Sequence, residues 1–115
     1  MDRIVLLGRI SSINYPKGCA DVIFPDAEDM IREALPFFSF EYRMPKVNDL
    51  VVVLWQENKK QGYILGKIFN EEYLPEFFGN ENYFKRFSKR AYMKYDDATG
   101  ILEFHAPRIK FIEEG

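Results

Sequence analysis

The run Met44-Pro-Lys-Val-Asn-Asp-Leu-Val-Val-Val-Leu-Trp55, followed after a polar turn by Gly62-Tyr-Ile-Leu-Gly-Lys-Ile-Phe-Asn70, reads as two adjacent strands with clear punctuation. Pro45 and the Asn48-Asp49 pair mark the entry turn, and Val51, Val52, Val53 and Leu54 are the β-branched and apolar residues of a buried strand. Glu57 to Gln61 supplies the connection. Gly66, inside the second run, permits a bulge or sharp bend of the kind that closes a small barrel. The pair therefore predicts a curled sheet.

Upstream, Arg3 to Ile13 is apolar on both parities at its start: Ile4 and Leu6 on one, Val5 and Leu7 on the other. A strand buried on both faces and bent at Gly8 is expected there. Asn14 to Gly18 is a turn by its Asn, Pro and Gly, and a second strand, Cys19 to Phe24, stops at Pro25-Asp26. The two make a hairpin. Between Asp26 and Leu35 the local pattern favours a helix, with Asp26 as cap and Ala27, Glu28, Met30, Arg32, Glu33 and Ala34 inside it. Leu35 to Tyr42 then alternates, with Phe38, Phe40 and Tyr42 on one face and Pro36 suited to a strand edge or end.

Downstream, Glu71 to Asn82 is acidic, rich in turn formers and poorly periodic, which predicts a connector after a barrel ending near Leu74. Tyr83 to Ser88 and Arg90 to Tyr95 have extended character, and Asp96 to Gly100 is a hairpin turn. Leu102, Phe104 and Ala106 alternate on the following strand, and Ile109 and Phe111 continue the apolar parity after Pro107, opposite Glu103, Arg108 and Lys110. Short strands with a single apolar face cannot bury that face alone. The expected division is a barrel over residues 1–74, a connector over 75–90 and a C-terminal β segment over 91–115.

Eleven Phe and seven Tyr in 115 residues bring more ring area than so small a protomer readily buries, so surplus apolar surface favours oligomerisation. Sixteen basic against eighteen acidic residues leave no global pull toward phosphate backbones or anionic membranes. The single cysteine, Cys19, cannot form an intrachain disulfide, and Met-Asp-Arg-Ile-Val at the start lacks the apolar stretch of a signal peptide. Synthesis and folding in a reducing bacterial cytoplasm are expected. No apolar run approaches the ~20 residues of a membrane span, so no integral membrane segment is expected.

Five pieces, in order along the chain, resemble the phage baseplate assembly protein V family. These are the central-spike proteins of contractile tails, related to the OB-fold part of the VgrG spikes of type VI secretion. The pieces are Gly8-Arg-Ile-Ser-Ser-Ile13, Ala20-Asp-Val-Ile-Phe-Pro25, Leu35-Pro36, Pro45-Lys-Val-Asn-Asp-Leu-Val-Val-Val53 in part, and Gly62 to Asn70. They span roughly the first two-thirds of the chain. Asn48 departs from the pattern, which has Gly before the Asp; Asn also tolerates a left-handed backbone, so the turn should survive. The resemblance implies a turn at Pro25 to Asp29 and an extended strand from about Met30 toward Phe37, and the strand is preferred to the helix on that ground.

What the resemblance implies overall is an all-β chain, a Greek-key OB-fold barrel followed by a short C-terminal β-stem that trimerises. Leu102, Phe104, Ile109 and Phe111 would then point at the three-fold axis, the alternative being strands that fold back onto their own barrel. The implied function is mechanical. The protein would be the central spike or hub adaptor of a contractile phage tail baseplate or related contractile injection system. It would reside in the virion tail or injection particle and join the tube-end hub protein to a membrane-piercing tip. So short a stem implies a separate, PAAR-like tip protein seated on the end near Phe111-Ile-Glu-Glu-Gly115. No reaction and no cofactor is implied.

No catalytic set is expected. His105 is the only histidine and no nucleophile motif accompanies it. Some spikes of the family hold a metal ion through a repeated His-x-His; Glu103-Phe-His-Ala-Pro107 offers one imidazole per chain, which a three-fold axis would gather into three. Parity, however, sets His105 on the face of Glu103, opposite Leu102 and Phe104, so a surface histidine is the expectation. Asp26, Glu28 and Asp29 lack the further ligands and glycine of a calcium loop and read as a solvated turn. The connector is too short for the lysozyme domain that some spikes carry.

The alternative function is single-stranded nucleic-acid binding, for which OB barrels are a common scaffold. Trp55 and Tyr63 would stack bases beside Lys59 and Lys60, with Phe37, Phe38, Phe40, Tyr42 and Lys67 as further members. The acidic balance removes the usual electrostatic footprint, so no nucleic acid is expected as partner. Lys85, Arg86, Lys89 and Arg90, interleaved with Phe84, Phe87 and Tyr92, form the patch most like such a surface, and a solvated strand face or protein-contact rim accounts for them equally.

Overall fold

A computed structural model describes residues 3–115, which divide into two compact units, the first ending at Asn70 and the second spanning Glu71–Gly115. Both are built from β-strands, and among the described residues no helix is long and apolar enough to cross a membrane. In the first unit β1 (Arg3–Asn14), β2 (Cys19–Phe24), β3 (Met30–Pro36), β4 (Leu50–Gln56) and β5 (Gln61–Lys67) form one sheet in the order β3-β2-β1-β4-β5, every neighbouring pair antiparallel. The sheet curls until its outer strands approach. Phe37, just past β3, makes a single parallel bridge to Ile64 of β5, and the Phe38 N–H donates to the Ile64 carbonyl at 2.9 Å.

Strict alternation builds the core. Ala20, Val22 and Phe24 of β2 and Val51, Val53 and Trp55 of β4 face inward with Ile10, Leu35 and Ile64. Curvature has two visible causes. At Gly66 the pairing slips by one residue, from Val52 opposite Gly66 to Val53 opposite Ile64, which leaves Leu65 as the extra residue of a bulge; Gly66 holds φ at 137°. At Gly8 strand β1 lies tight against its paired neighbour β2, so that a Cβ there would lie 2.4 Å from Cγ1 of Val22 and 3.0 Å from the Ile23 carbonyl oxygen.

The segment after β2 turns once as a 3-10 helix over Pro25–Ala27, passes through Glu28 and Asp29 in the left-handed region, and enters β3. Its helix-favouring residues are overridden because β3 pairs with β2 from Phe24 opposite Met30 to Cys19 opposite Pro36. Asp21 fastens the bulge in that pairing: its carboxylate accepts the Ala34 N–H at 2.8 Å and the Ser12 hydroxyl at 3.0 Å.

Asn48 has φ of 75°, and its N–H donates to the Ile10 carbonyl at 2.7 Å while the Asp49 carboxylate accepts the Lys46 N–H at 2.7 Å. The turn before β4 therefore does require a left-handed residue at this position. Asn48→Gly should leave the melting temperature unchanged or raise it. Asn48→Val should cost about 1–2 kcal/mol, the penalty of a branched side chain in that region. Thermal unfolding of the two variants side by side measures the difference.

Several expectations are corrected. The alternation of Leu35 to Tyr42 does not make a strand: β3 stops at Pro36 because its partner β2 begins at Cys19, and residues 38–49 are irregular with Phe40 84% exposed. Strand β1 is not buried on both faces at its start, since Val5 is 66% exposed; the curled sheet covers only the side shared with Leu6 and Ile10. The first unit ends at Asn70.

The second unit is a three-stranded antiparallel meander of β6 (Tyr83–Ser88), β7 (Ala91–Asp96) and β8 (Ile101–His105). Strand β6 lies where Tyr83 to Ser88 have extended character in the sequence. The β7–β8 turn is closed by the Gly100 N–H donating to the Asp96 carbonyl at 2.8 Å, with the Asp96 carboxylate accepting the Ala98 N–H at 3.0 Å. Ile109 and Phe111 are not in a strand. From Ala106 to Gly115 the chain has no regular structure, as Pro107 removes a ladder donor immediately after β8.

Candidate functional site

The register of the C-terminal sheet sorts its side chains onto two faces. Phe84, Arg86, Tyr92, Lys94, Glu103 and His105 share one, because Arg86 pairs with Tyr92, Phe84 with Lys94, Tyr92 with His105 and Lys94 with Glu103. This face is covered by its own chain. The Arg86 guanidinium lies 4.9 Å from the Tyr92 ring centroid and 5.7 Å from that of Phe84, and its Nε donates to both oxygens of Glu76 at 2.8 Å. Lys94 sits over the Phe77 ring at 5.1 Å and 3.8 Å from the Glu103 carboxylate. His105 stacks on Tyr92 with centroids 4.3 Å apart and shares a 2.8 Å hydrogen bond with Glu103.

The opposite face carries Tyr83, Lys85, Met93, Tyr95, Leu102 and Phe104, with Lys85 and Phe104 flanking Met93 and Leu102 opposite Tyr95. Nothing covers it enough to bury a side chain. Phe104 is 53% exposed, Leu102 and Tyr83 are comparably open, and in the segment after β8 Ile109 is exposed and Phe111 is 90% exposed. Indeed no residue from Glu71 to Gly115 is buried at all. The four residues expected at an axis are therefore all solvent-facing apolar groups in the single chain, two on one sheet face and two beyond it. Parity also places the imidazole away from them, on the covered face. Among the described residues no cluster of three or more His, Cys, Asp or Glu is arranged to hold a metal ion.

The residues of the nucleic-acid alternative are not brought together. Trp55 opposes Gly62 and points into the core, 3% exposed, while Tyr63 opposes Leu54 and points to the outer face of the same sheet. The Arg32 guanidinium covers the indole at 4.8 Å, and Trp55 Nε1 donates to Glu57 at 2.6 Å. Lys60 pairs with the same carboxylate, Tyr63 accepts a hydrogen bond from Gln61 at 2.6 Å, and Lys59 is exposed. Such an indole fixes the end of β4 and has no open face for a base. Besides Tyr15 and Phe69, the exposed rings of this unit are Phe38 and Phe40, parallel with centroids 6.5 Å apart, and Tyr42. Pro36 was the sequence signal that they would leave the sheet.

Hydrogen bonds from Lys60 and then Trp55 hold the Glu57 carboxyl below the ordinary glutamate range. Because the folded value is the lower one, its stabilising contribution is full above the ordinary range and is lost as pH falls through the depressed midpoint. Followed by NMR, the Glu57 carboxyl should titrate below the ordinary glutamate range, and Lys60→Gln should move it back up.

The chain matches none of the known protein-family models, and no curated protein is similar enough to it to count as a relative.

Proposed function

We propose that this protein is a structural component, the central spike or hub adaptor of a contractile phage tail or related injection system, working as a homotrimer through its C-terminal sheet. The observation that carries the reading is that three-stranded sheet with no buried side chain. With no side chain buried, such a sheet has little of its own to hold its shape in water, and Tyr83, Leu102 and Phe104 on one face stand open to solvent. Three copies meeting through Leu102, Phe104, Ile109 and Phe111 would supply the missing core.

The barrel unit adds support. Its strand order β3-β2-β1-β4-β5, with the Phe37 to Ile64 bridge joining the outer strands in parallel, is compatible with a five-stranded Greek-key OB barrel. The left-handed Asn48 stands where the spike family carries glycine. In this reading the barrel meets the tube-end hub and the stem end receives a separate tip protein. No chemistry is involved: the assembly resists contraction because all intersubunit contacts must break together.

Amide hydrogen exchange tests the proposal. Amides of β7 and β8 should exchange slowly in the wild-type protein and at fraying rates in Phe104→Asp, in which the subunits part. Exchange at fraying rates in the wild type as well would remove the basis for the trimer.

A further inference from the structure

Residues 71–82 belong to no strand or helix and lie as a strap over the face of the C-terminal sheet that carries Arg86 and Lys94. Two consecutive residues of the strap meet two successive rows of that face. Glu76 accepts the Arg86 Nε–H with both oxygens, in the row where Arg86 pairs with Tyr92. The Phe77 ring lies 6.4 Å from that of Phe84 and 5.1 Å from the Lys94 ammonium, in the row where Phe84 pairs with Lys94. The strap therefore runs opposite to β6 and presents an acid and then a ring in a fixed order. Its C-terminal root is fastened separately: the Asn82 amide donates to the Phe78 carbonyl at 2.9 Å and accepts the Asp97 N–H at 2.8 Å.

We infer that this face is a docking site for an extended peptide carrying a carboxylate residue directly before an aromatic one, and that the strap is its resident, removable occupant. The Arg86 guanidinium, backed by the Tyr92 and Phe84 rings, offers its N–H groups to a carboxylate, while Phe84 and the Lys94 ammonium receive a ring. The present occupant is weakly held. Glu76 is 44% exposed, and an ion pair so open to water contributes little to stability. None of residues 71–82 is buried, and Phe78, next to the docked ring, faces solvent. Lifting the strap would leave Arg86 without its carboxylate and Lys94 with Glu103 alone. Because the root at Asn82 stays fastened, the strap competes at a high local concentration, and a free peptide reaches the face readily only when the strap's own contacts are weakened. The face lies opposite Leu102 and Phe104, so the inference goes beyond the spike reading and does not depend on the trimer.

Fluorescence anisotropy tests it, with a labelled synthetic peptide of residues 74–79, Leu-Pro-Glu-Phe-Phe-Gly, titrated with the full chain. The wild-type chain should bind it weakly, and the chain with Glu76→Ala and Phe77→Ala, whose face is freed, at least about tenfold more tightly. Adding Arg86→Gln to the freed chain should undo that gain, and so should Gln for Glu76 or Ala for Phe77 within the peptide. Circular dichroism checks that each variant keeps its strands. Glu76→Gln alone leaves the Phe77 ring on the sheet and serves as a second receptor; it should bind several-fold more tightly than wild type, even if the double variant unfolds. No saturable binding by the folded receptors, or binding that the Arg86 and peptide changes leave intact, overturns the proposal. Equal affinity for the wild-type and freed chains overturns it too, since the strap would then not occupy the site.

Discussion

Phe104→Asp and Phe111→Asp are each expected to convert the assembled protein into monomers. Phe104 lies on the uncovered face, opposite Met93, and Phe111 is the most exposed large apolar residue of the chain. In an isolated chain, a carboxylate at either site would stay hydrated, and the change would fall within the roughly ±0.5 kcal/mol of ordinary surface substitutions. At a three-fold axis the same carboxylate meets its two symmetry mates in an apolar setting. Burying unpaired charge there costs several kcal/mol and like-charge repulsion adds to it. The two accounts thus differ qualitatively, and size-exclusion chromatography with light scattering on each variant separates them. A trimer that persisted in both variants would show that these residues do not form the axis.

Gly8→Ala should be the most damaging small substitution in the barrel unit. The added methyl would fall 2.4 Å from Val22, itself fully buried, and 3.0 Å from both the Ile23 carbonyl oxygen and the Phe24 ring. A flexible side chain could swing away, but a backbone carbonyl within a paired strand and a packed core cannot. Overpacking of this kind costs about 1–3 kcal/mol and more where backbone must move. In a unit of this size that lowers the melting temperature by about 10 °C or more. Calorimetry of Gly8→Ala gives the answer, and a change of only a degree or two would mean that β1 and β2 do not lie so close.

Much of the curled sheet was legible because its inward positions alternate without interruption in β2 and β4, and because Gly66 and Asn48 have backbone requirements that their residue types announce. Over residues 26–35 the strand preferred on the resemblance forms against the local helix pattern, because the free edge of β2 offers a row of unpaired backbone groups and pairing there outweighs propensity. The expectations that fail lie elsewhere. Phe38 and Phe40 alternate as a strand would, but the alternation continues past the point where β2 has any residue left to pair. Val5 looked buried because apolar residues on both parities mean two covered faces, and a single chain covers only one.

In the candidate site, the shared parity of Leu102 and Phe104 and the opposite side of His105 could be read directly. Trp55 and Tyr63 could not be separated without the register, which sets them on opposite faces of the hairpin. The same holds for the strap over the C-terminal sheet. Nothing in residues 71–82 announces that Glu76 meets Arg86 or that Phe77 meets Phe84; the pairing of β6 with β7 sets those partners on one face.

The measurement that bears most directly on the central claim is the solution mass of the purified protein by light scattering, followed across dilution. The trimeric spike requires a mass three times that of the 13.6 kDa chain, persisting to low concentration. A stable 13.6 kDa species at all concentrations would contradict it and leave the apolar face of the C-terminal sheet without the partner proposed for it.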